Sequence, residues 1–441
     1  MKDHAELFQL KDKAGKSVIK LKSFYWKFLI LLLFPWHLAA EKQDTFSGLR
    51  PSGTGGITVV IEDPTGTGSP VCIRMLLEGK LLKLSIEGKL YLTEKRDGHS
   101  SQITVQYERR ADAPESGFLS WQMPSGRKGQ RTFVLEGGQV AAPSVMMASK
   151  DAESGQLDIS ESGQPVLRYV YETNGPGAML KSIHPNNHKY AWPRSDYIHP
   201  LYGLDGEVLT KDWAVDHPHH RGIYWAWPET FYRGENGDLH ALQRVFARPT
   251  GKYRLTQGPV YAQIEAENTW LWEDHEPIVH ETTMIRSYAL GPEGRCIDVK
   301  FIFTALKESV TIARRGTDKY GGLNIRLAET AQQELLVHTD PAHTKPRMAW
   351  SDFLGVFRER KKWTGFAVLQ RQSNPEYPGD WVQYPALQWL QPTFPSAGNR
   401  YELKKGRPIE LQYRFWIRSG GKLTKNVYAD QWRNYNQLGG L

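Results

Sequence analysis

The segment Asp216-His217-Pro218-His219-His220-Arg221-Gly222 gathers three imidazoles, a carboxylate and a guanidinium into one short run. Histidine has the ordinary side-chain pKa nearest neutrality, so the run offers a general acid or base, with Asp216 available to orient a ring. The same rings are ligands for borderline divalent metals. Seven of the 14 histidines fall between residues 184 and 240: His184, His188, His199, His217, His219, His220 and His240. That window also holds Trp192, Tyr197, Tyr202, Trp213, Tyr224, Trp225 and Trp227. It reads mostly as loop, and loops set on a rigid sheet are where sites are commonly built. Pro218 cannot donate to a ladder, which places the histidines on the approach to the apolar run Ile223 to Trp227. In an extended backbone His217 and His219 would face one way and His220 the other.

Three chemistries fit this cluster. His219 or His220, with His217 beside them, can move a proton on a sugar ring or glycosidic bond. Alternatively, His217 and His219 with a remote histidine or carboxylate bind a divalent metal, although no spacing here is diagnostic for one. Third, the rings hydrogen-bond loop carbonyls and have no chemical role. Outside the segment, Glu281, inside a strand beside His280, is a further candidate catalytic group, whereas Glu273, Asp274 and Glu276 read as a solvated turn. Lys319-Tyr320-Gly321-Gly322-Leu323-Asn324-Ile325-Arg326 is a glycine-punctuated strand entry whose cations can hold a carboxylate or hydroxyls. The alternative is that Gly321 and Gly322 only shape a bulge. The chain has no phosphate-cradling GxxxxGK[ST] motif, no dinucleotide fingerprint and no Gly-x-Ser-x-Gly.

The elements that must position these groups are strands. Residues 41–140 show short alternating runs such as Ile57 to Glu62 and Leu81 to Leu92, broken by Asp63-Pro64-Thr65-Gly66 and Asp97-Gly98. That is the rhythm of a small accessory β-sandwich. Residues 141–163 read as a linker. From 164 to 420 the strands are longer and richer in aromatics, for example Val260 to Trp272 and Ile278 to Leu290. A helix is expected only near the end of the chain, within 421–441, where Val427, Trp432 and Tyr435 fall on one side. The expected class is therefore all-β: a large β-sandwich preceded by a small one and closed by a C-terminal helix.

The 441 residues, 40% hydrophobic and 24% charged, are ordinary for a globular chain, and 15 Trp, 20 Tyr and 16 Phe suit either β cores or ring-bearing ligands. The formal charge of +8 does not imply nucleic acid, because seven lysines against three acids in residues 1–40 supply half of it. What remains is not arranged as a phosphate-tracking stripe. Residues 1–40 pass from a basic stretch into Phe28 to Leu33 and end in Ala39-Ala40. This is the form of a secretory signal, with a retained N-terminal anchor as the alternative, because a span needs about 20 apolar residues. The expectation is an exported protein, periplasmic or extracellular, touching membrane only through an uncleaved leader. Cys72 and Cys296 form one disulfide or stay as two buried thiols.

Several ordered motifs resemble a known family. Tyr197-Ile198-His199-Pro200-Leu201-Tyr202, Asp205 to Thr210 and Asp216 to Trp227, then Tyr320-Gly321-Gly322-Leu323 with Arg326, and Ser373-Asn374-Pro375 with Tyr377-Pro378 and Trp381, are similar to bacterial proteins labelled "methane oxygenase PmoA". The likeness runs from about Ser149 to Gly420. The methane monooxygenase subunit of similar name is a multi-span membrane protein. No stretch after the leader here is long and apolar enough to be one of its helices. The resemblance instead implies a β-sandwich of the galactose-mutarotase-like supersandwich type, with a carbohydrate role by association. It singles out His199, His217, His219, His220, Arg221, Tyr320, Arg326, Asn374 and Trp381. The leading expectation is a carbohydrate-active enzyme performing hydrolysis, elimination or epimerisation. In it His219 or His220 is the acid or base, Arg221 and Arg326 hold substrate oxygens or a carboxylate, and Trp225 and Trp381 stack on the ring. No cofactor is required, a divalent metal at the cluster being the option. The competing expectations are a non-catalytic carbohydrate-binding or surface-assembly protein, and a metal-dependent hydrolase or oxygenase.

Overall fold

The computed structural model describes residues 57–66, 71–78, 90–96, 99–110, 112–113, 115–138, 145–357 and 361–441, with the backbone of short strands at Leu10–Lys11, Ser17–Val18 and Gly48–Pro51. Apart from those strand backbones, the leader expected over 1–40 lies outside the described residues. Among the described residues no helix is long and apolar enough to cross a membrane.

The protein is an all-β sandwich with a C-terminal helix. Its N-terminal part forms a seven-stranded sheet. Strand His99–Arg109 pairs with Leu90–Arg96 along its first half and with Ser116–Met123 along its second, so it carries the sheet around a corner. Val59, Leu77, Leu92, Trp121 and Phe133 fill the space inside, each with essentially no exposed surface.

The larger part is two eight-stranded sheets with a four-stranded sheet of Glu235–Gly237, Glu229–Tyr232, Val310–Ala313 and Arg400–Leu403 beside them. The first contains, in spatial order, Met146–Lys150, Leu157–Glu161, Gln164–Val170, Tyr197–Leu201, Ile223–Ala226, Gly322–Arg326, Trp389–Pro392 and Trp381–Tyr384. The second is built from long strands, among them Val245–Thr256, Tyr261–Trp272, Glu276–Tyr288, Arg295–Ala305 and Ile409–Ser419. Met146–Lys150 and Leu157–Glu161 pair with each other and edge the first sheet, so the segment expected to be a linker is structured from residue 146 onward. Its Met146, Ala148, Leu157 and Ile159 alternate into the core, and that burial outweighs the turn-forming residues between them.

Strand alternation sorts side chains between the two faces of each sheet. Ile223, Trp225, Leu323 and Ile325 enter the core between the sheets, where Trp225 stacks on Trp227 at 4.6 Å and meets Phe301 edge-on. Their neighbours Tyr224, Asn324 and Arg326 therefore project from the outer face of the first sheet, with Trp389 opposite Arg326 in register. The connections after Tyr197–Leu201 and between Ile223–Ala226 and Val245–Thr256, the second carrying the short strands Glu229–Tyr232 and Glu235–Gly237, bring His220 and His240 against Trp389 and Tyr224 of this outer face.

The helix Lys425–Gln437 buries Tyr428, Trp432 and Tyr435 in a cluster with Cys72, Cys296 and Trp416. Cys72 belongs to the small sheet and Cys296 to the large one, and both are free, buried thiols. A buried ion pair backs the same junction: Arg414 binds Asp298 through Nε at 2.5 Å and Nη2 at 2.8 Å.

Candidate metal centre

The histidine segment is not extended. Its base is closed by Gly222 N–H donating to Lys211 O and Arg326 N–H donating to Gly222 O. Only glycine fits at this closure, since Gly222 has φ +63° and a Cβ there would lie 2.2 Å from the Ile198 carbonyl oxygen. Within the loop His217 N–H donates to Ala214 O and His220 N–H to His217 O, two successive turns. These turns overturn the expected alternation. All three rings come together, with His217 stacked on His220 at 4.8 Å and His219 edge-on to His220 at 4.7 Å.

A fourth ring completes the group. His240 lies in a tight loop closed by reciprocal bonds between Asp238 and Gln243, and by Ala241 N–H donating to Asp238 Oδ1. Arg194 Nη2 donates to both Leu239 O and His240 O, and Arg315 pairs with Asp238 at 2.6 Å. His240 thus stands 4.6 Å from His219 and 5.3 Å from His220, centroid to centroid. One ligand nitrogen from each of His219, His220 and His240 lies within 4.8 Å of the others. Tyr224 Oη sits 2.9 Å from His240 Nδ1, leaving Nε2 for a ligand, and Nδ1 of both His219 and His220 lacks a protein partner. Trp389, Tyr320 and Tyr190 wall the cluster: Trp389 is 5.2 Å from His220, Tyr320 5.5 Å from His240 and Tyr190 5.4 Å from His219.

This environment favours neutral imidazole. Burial, reinforced by the neighbouring His217 and Arg194, pushes His219 down to about 3. Burial and then the adjacent His219 and Arg326 lower His220, and burial likewise sets His240 well below the ordinary histidine value. His217 is the exposed member, its side chain 41% accessible, and its Nδ1 meets Asp216 at 2.9 Å. Burial tends to raise Asp216, but the hydrogen bond from His217 and the charge of Arg326 prevail and lower it.

The other residues singled out from sequence divide into groups. Tyr320 and Arg326 join the cluster. Arg221 is instead a structural pin: it is 1% exposed, ion-paired with Asp212, bonded to Tyr197 Oη, and lies 3.4 Å over the Trp213 ring. His199 adjoins this network, with Nδ1 3.0 Å from Thr210 Oγ1, and burial lowers its pKa. Trp225 is core and closed to any substrate. Glu281 also lies between the sheets, accepting from Trp270 Nε1 at 2.7 Å and Thr283 Oγ1 at 3.1 Å, on the side of the first sheet away from the histidines. Asn374 is spent on the backbone, its amide bonded both ways to Gln412, and it lines a separate open cavity of about 710 Å³ with Arg347 and Tyr377. Trp381 donates to His338 O and Thr339 Oγ1, joining the edges of the two sheets rather than facing the cluster. Sequence reasoning did not single out His240, Trp389, Tyr224 or Asn324. His240 stands alone in its run, and its only sequence signal is membership of the histidine-rich window.

Fold and site together define an all-β sandwich protein with a largely buried three-histidine cluster on the outer face of one sheet. The chain matches the Family of unknown function (DUF6807) over residues 156–433, more than half its length, and belongs to that family. No curated protein matches the chain.

Proposed function

We propose that this protein is a metalloenzyme in which His219, His220 and His240 hold a divalent transition-metal ion, serving a hydrolase acting on a small, oxygen-rich molecule. The observation that carries the reading is the meeting of three imidazoles, His220 and His240 buried and His219 partly so, with ligand atoms within 4.8 Å of one another. Metal ligands must be deprotonated, and burial already holds these rings neutral. An all-nitrogen donor set suits zinc, copper, nickel or cobalt over the oxygen-seeking magnesium and calcium. Proton transfer by His219 alone is the weaker reading, because a base held near 3 has little affinity for a proton at neutral pH.

When bound, such an ion lowers the pKa of a coordinated water and polarises substrate oxygens. The chain supplies the rest. Tyr224 fixes the ring of His240 through Nδ1. His217, solvent-facing and paired with Asp216, is the group placed to pass a proton between site and water. Asn324, Arg326 and Trp389 offer polar atoms without protein partners to a substrate. Carbohydrates and their derivatives, dense in oxygens, fit such a floor. A supersandwich reading of the two packed sheets fits the same placement, with the site on a sheet face rather than between the sheets.

The test is calorimetric titration of chelator-stripped full chain with Zn²⁺. About one ion per chain should bind, and His219→Ala or His240→Ala should abolish that binding, whereas His275→Ala in an exposed turn should not. Undiminished binding by His240→Ala contradicts the assignment.

A further inference from the structure

Arg326 is a buried cation beside the cluster that no carboxylate reaches within hydrogen-bond distance. Its side chain is 4% exposed, its nearest acid, Asp216, comes only to 3.8 Å, and Nε and Nη1 have no partner in the protein. That distance is beyond hydrogen-bond reach. Two guanidiniums around it are held by carboxylates, Arg221 by Asp212 and Arg315 by Asp238, and Arg194 donates to the Leu239 and His240 carbonyls. A buried charge with idle N–H groups is costly, and such a group is ordinarily paired.

Arg326 also has company. Asn324, two residues earlier on the same strand face and 0% exposed, has neither amide atom bonded. Trp389, opposite Arg326 in register, has a free indole N–H, and Gln391, two residues on and on the same face, has an unpartnered Nε2. The idle N–H groups of the Arg326 guanidinium match a carboxylate, while the amide and indole groups beside it match hydroxyl oxygens.

We infer that the site takes a hydroxylated carboxylate, a hydroxy acid or sugar acid, with its carboxylate on Arg326 and its hydroxyls on Asn324 and Trp389. The metal-centre reading is needed only for the remaining oxygens, which would face the ion.

The experiment measures binding of gluconate and glucuronate, with glucose and sorbitol as neutral counterparts, to the Zn²⁺-loaded full chain by calorimetry. The acids should bind at least about tenfold more tightly than the neutral compounds. Arg326→Met should weaken acid binding by about ten- to a hundredfold, the worth of a charge-assisted hydrogen bond, and Arg326→Lys should restore part of it. Unchanged Zn²⁺ stoichiometry in Arg326→Met shows that the variant is folded. Acids binding no better than neutral compounds, no binding of either, or Arg326→Met binding acids as wild type does, overturns the inference. The two readings fail separately. Full Zn²⁺ occupancy without acid preference removes this one alone, whereas an acid preference lost in Arg326→Met, in a chain that binds no Zn²⁺, removes the metal centre alone.

Discussion

Acidification should strip stability from the metal-free protein through three particular side chains. In an unfolded chain each histidine titrates near 6.5. In the fold, burial holds His219 down to about 3 and keeps His220 and His240 neutral as well. Between those limits the unfolded state binds protons that the folded state refuses, so stability falls as pH falls, starting near 6.5 and continuing towards 3. At pH 5.5 each ring accounts for about 1.4 kcal/mol relative to pH 7.5, and the three together for about 4 kcal/mol. That is a large share of the roughly 5–15 kcal/mol that stabilises a typical domain. The assay is urea unfolding of chelator-treated protein at both pH values, beside a variant carrying His219→Gln, His220→Gln and His240→Gln. The wild type should lose about 4 kcal/mol more than the variant on acidification. Equal losses in both proteins would show that these rings are not held neutral, and the reasoning about their readiness as ligands would fail.

Tyr224→Phe removes the oxygen beside His240 Nδ1; Zn²⁺ affinity measured by competition with a chromophoric chelator should drop about 10–100-fold, as for other second partners of metal-bound histidines. Glu281 is held protonated by burial and by the nearby Asp196 charge, so its contribution is present below its unfolded pKa and is lost as pH rises through its folded value. Glu281→Gln should therefore leave Zn²⁺ binding unchanged and give a melting temperature at pH 8 no lower than wild type. Arg221→Met leaves Asp212 without its buried partner; denaturant unfolding should show a loss of about 3 kcal/mol, the low end for a broken buried pair since Asp212 keeps some exposure.

The strand architecture was legible because its signal is local. Ile297, Val299, Phe301 and Phe303 alternate inward, and the turn between Trp272 and Glu276 falls at the expected cluster of acids. The histidine segment was legible by density alone. What was hidden is which face each ring takes. All of Ile223 to Ala226 is buried, because loops cover the outer face while the second sheet covers the inner one. Period-two burial therefore could not tell that Trp225 turns inward and Tyr224 outward. Both roles expected from chemistry at Arg221 and Asn374 were absorbed by local bonding, to Asp212 and to the Gln412 backbone. His240 reaches His219 through the closure of a separate loop by Arg194 and Arg315, a contact that no spacing along the chain encodes.

The central claim is that three imidazoles from two loops share one ion. Crystals of the full chain grown with Zn²⁺ and measured on both sides of the zinc absorption edge test it most directly. The account predicts one strong anomalous peak about 2.0–2.1 Å from a ring nitrogen of each of His219, His220 and His240. Zinc found only elsewhere on the surface, with the three rings bonded to one another or to loop carbonyls, would contradict it.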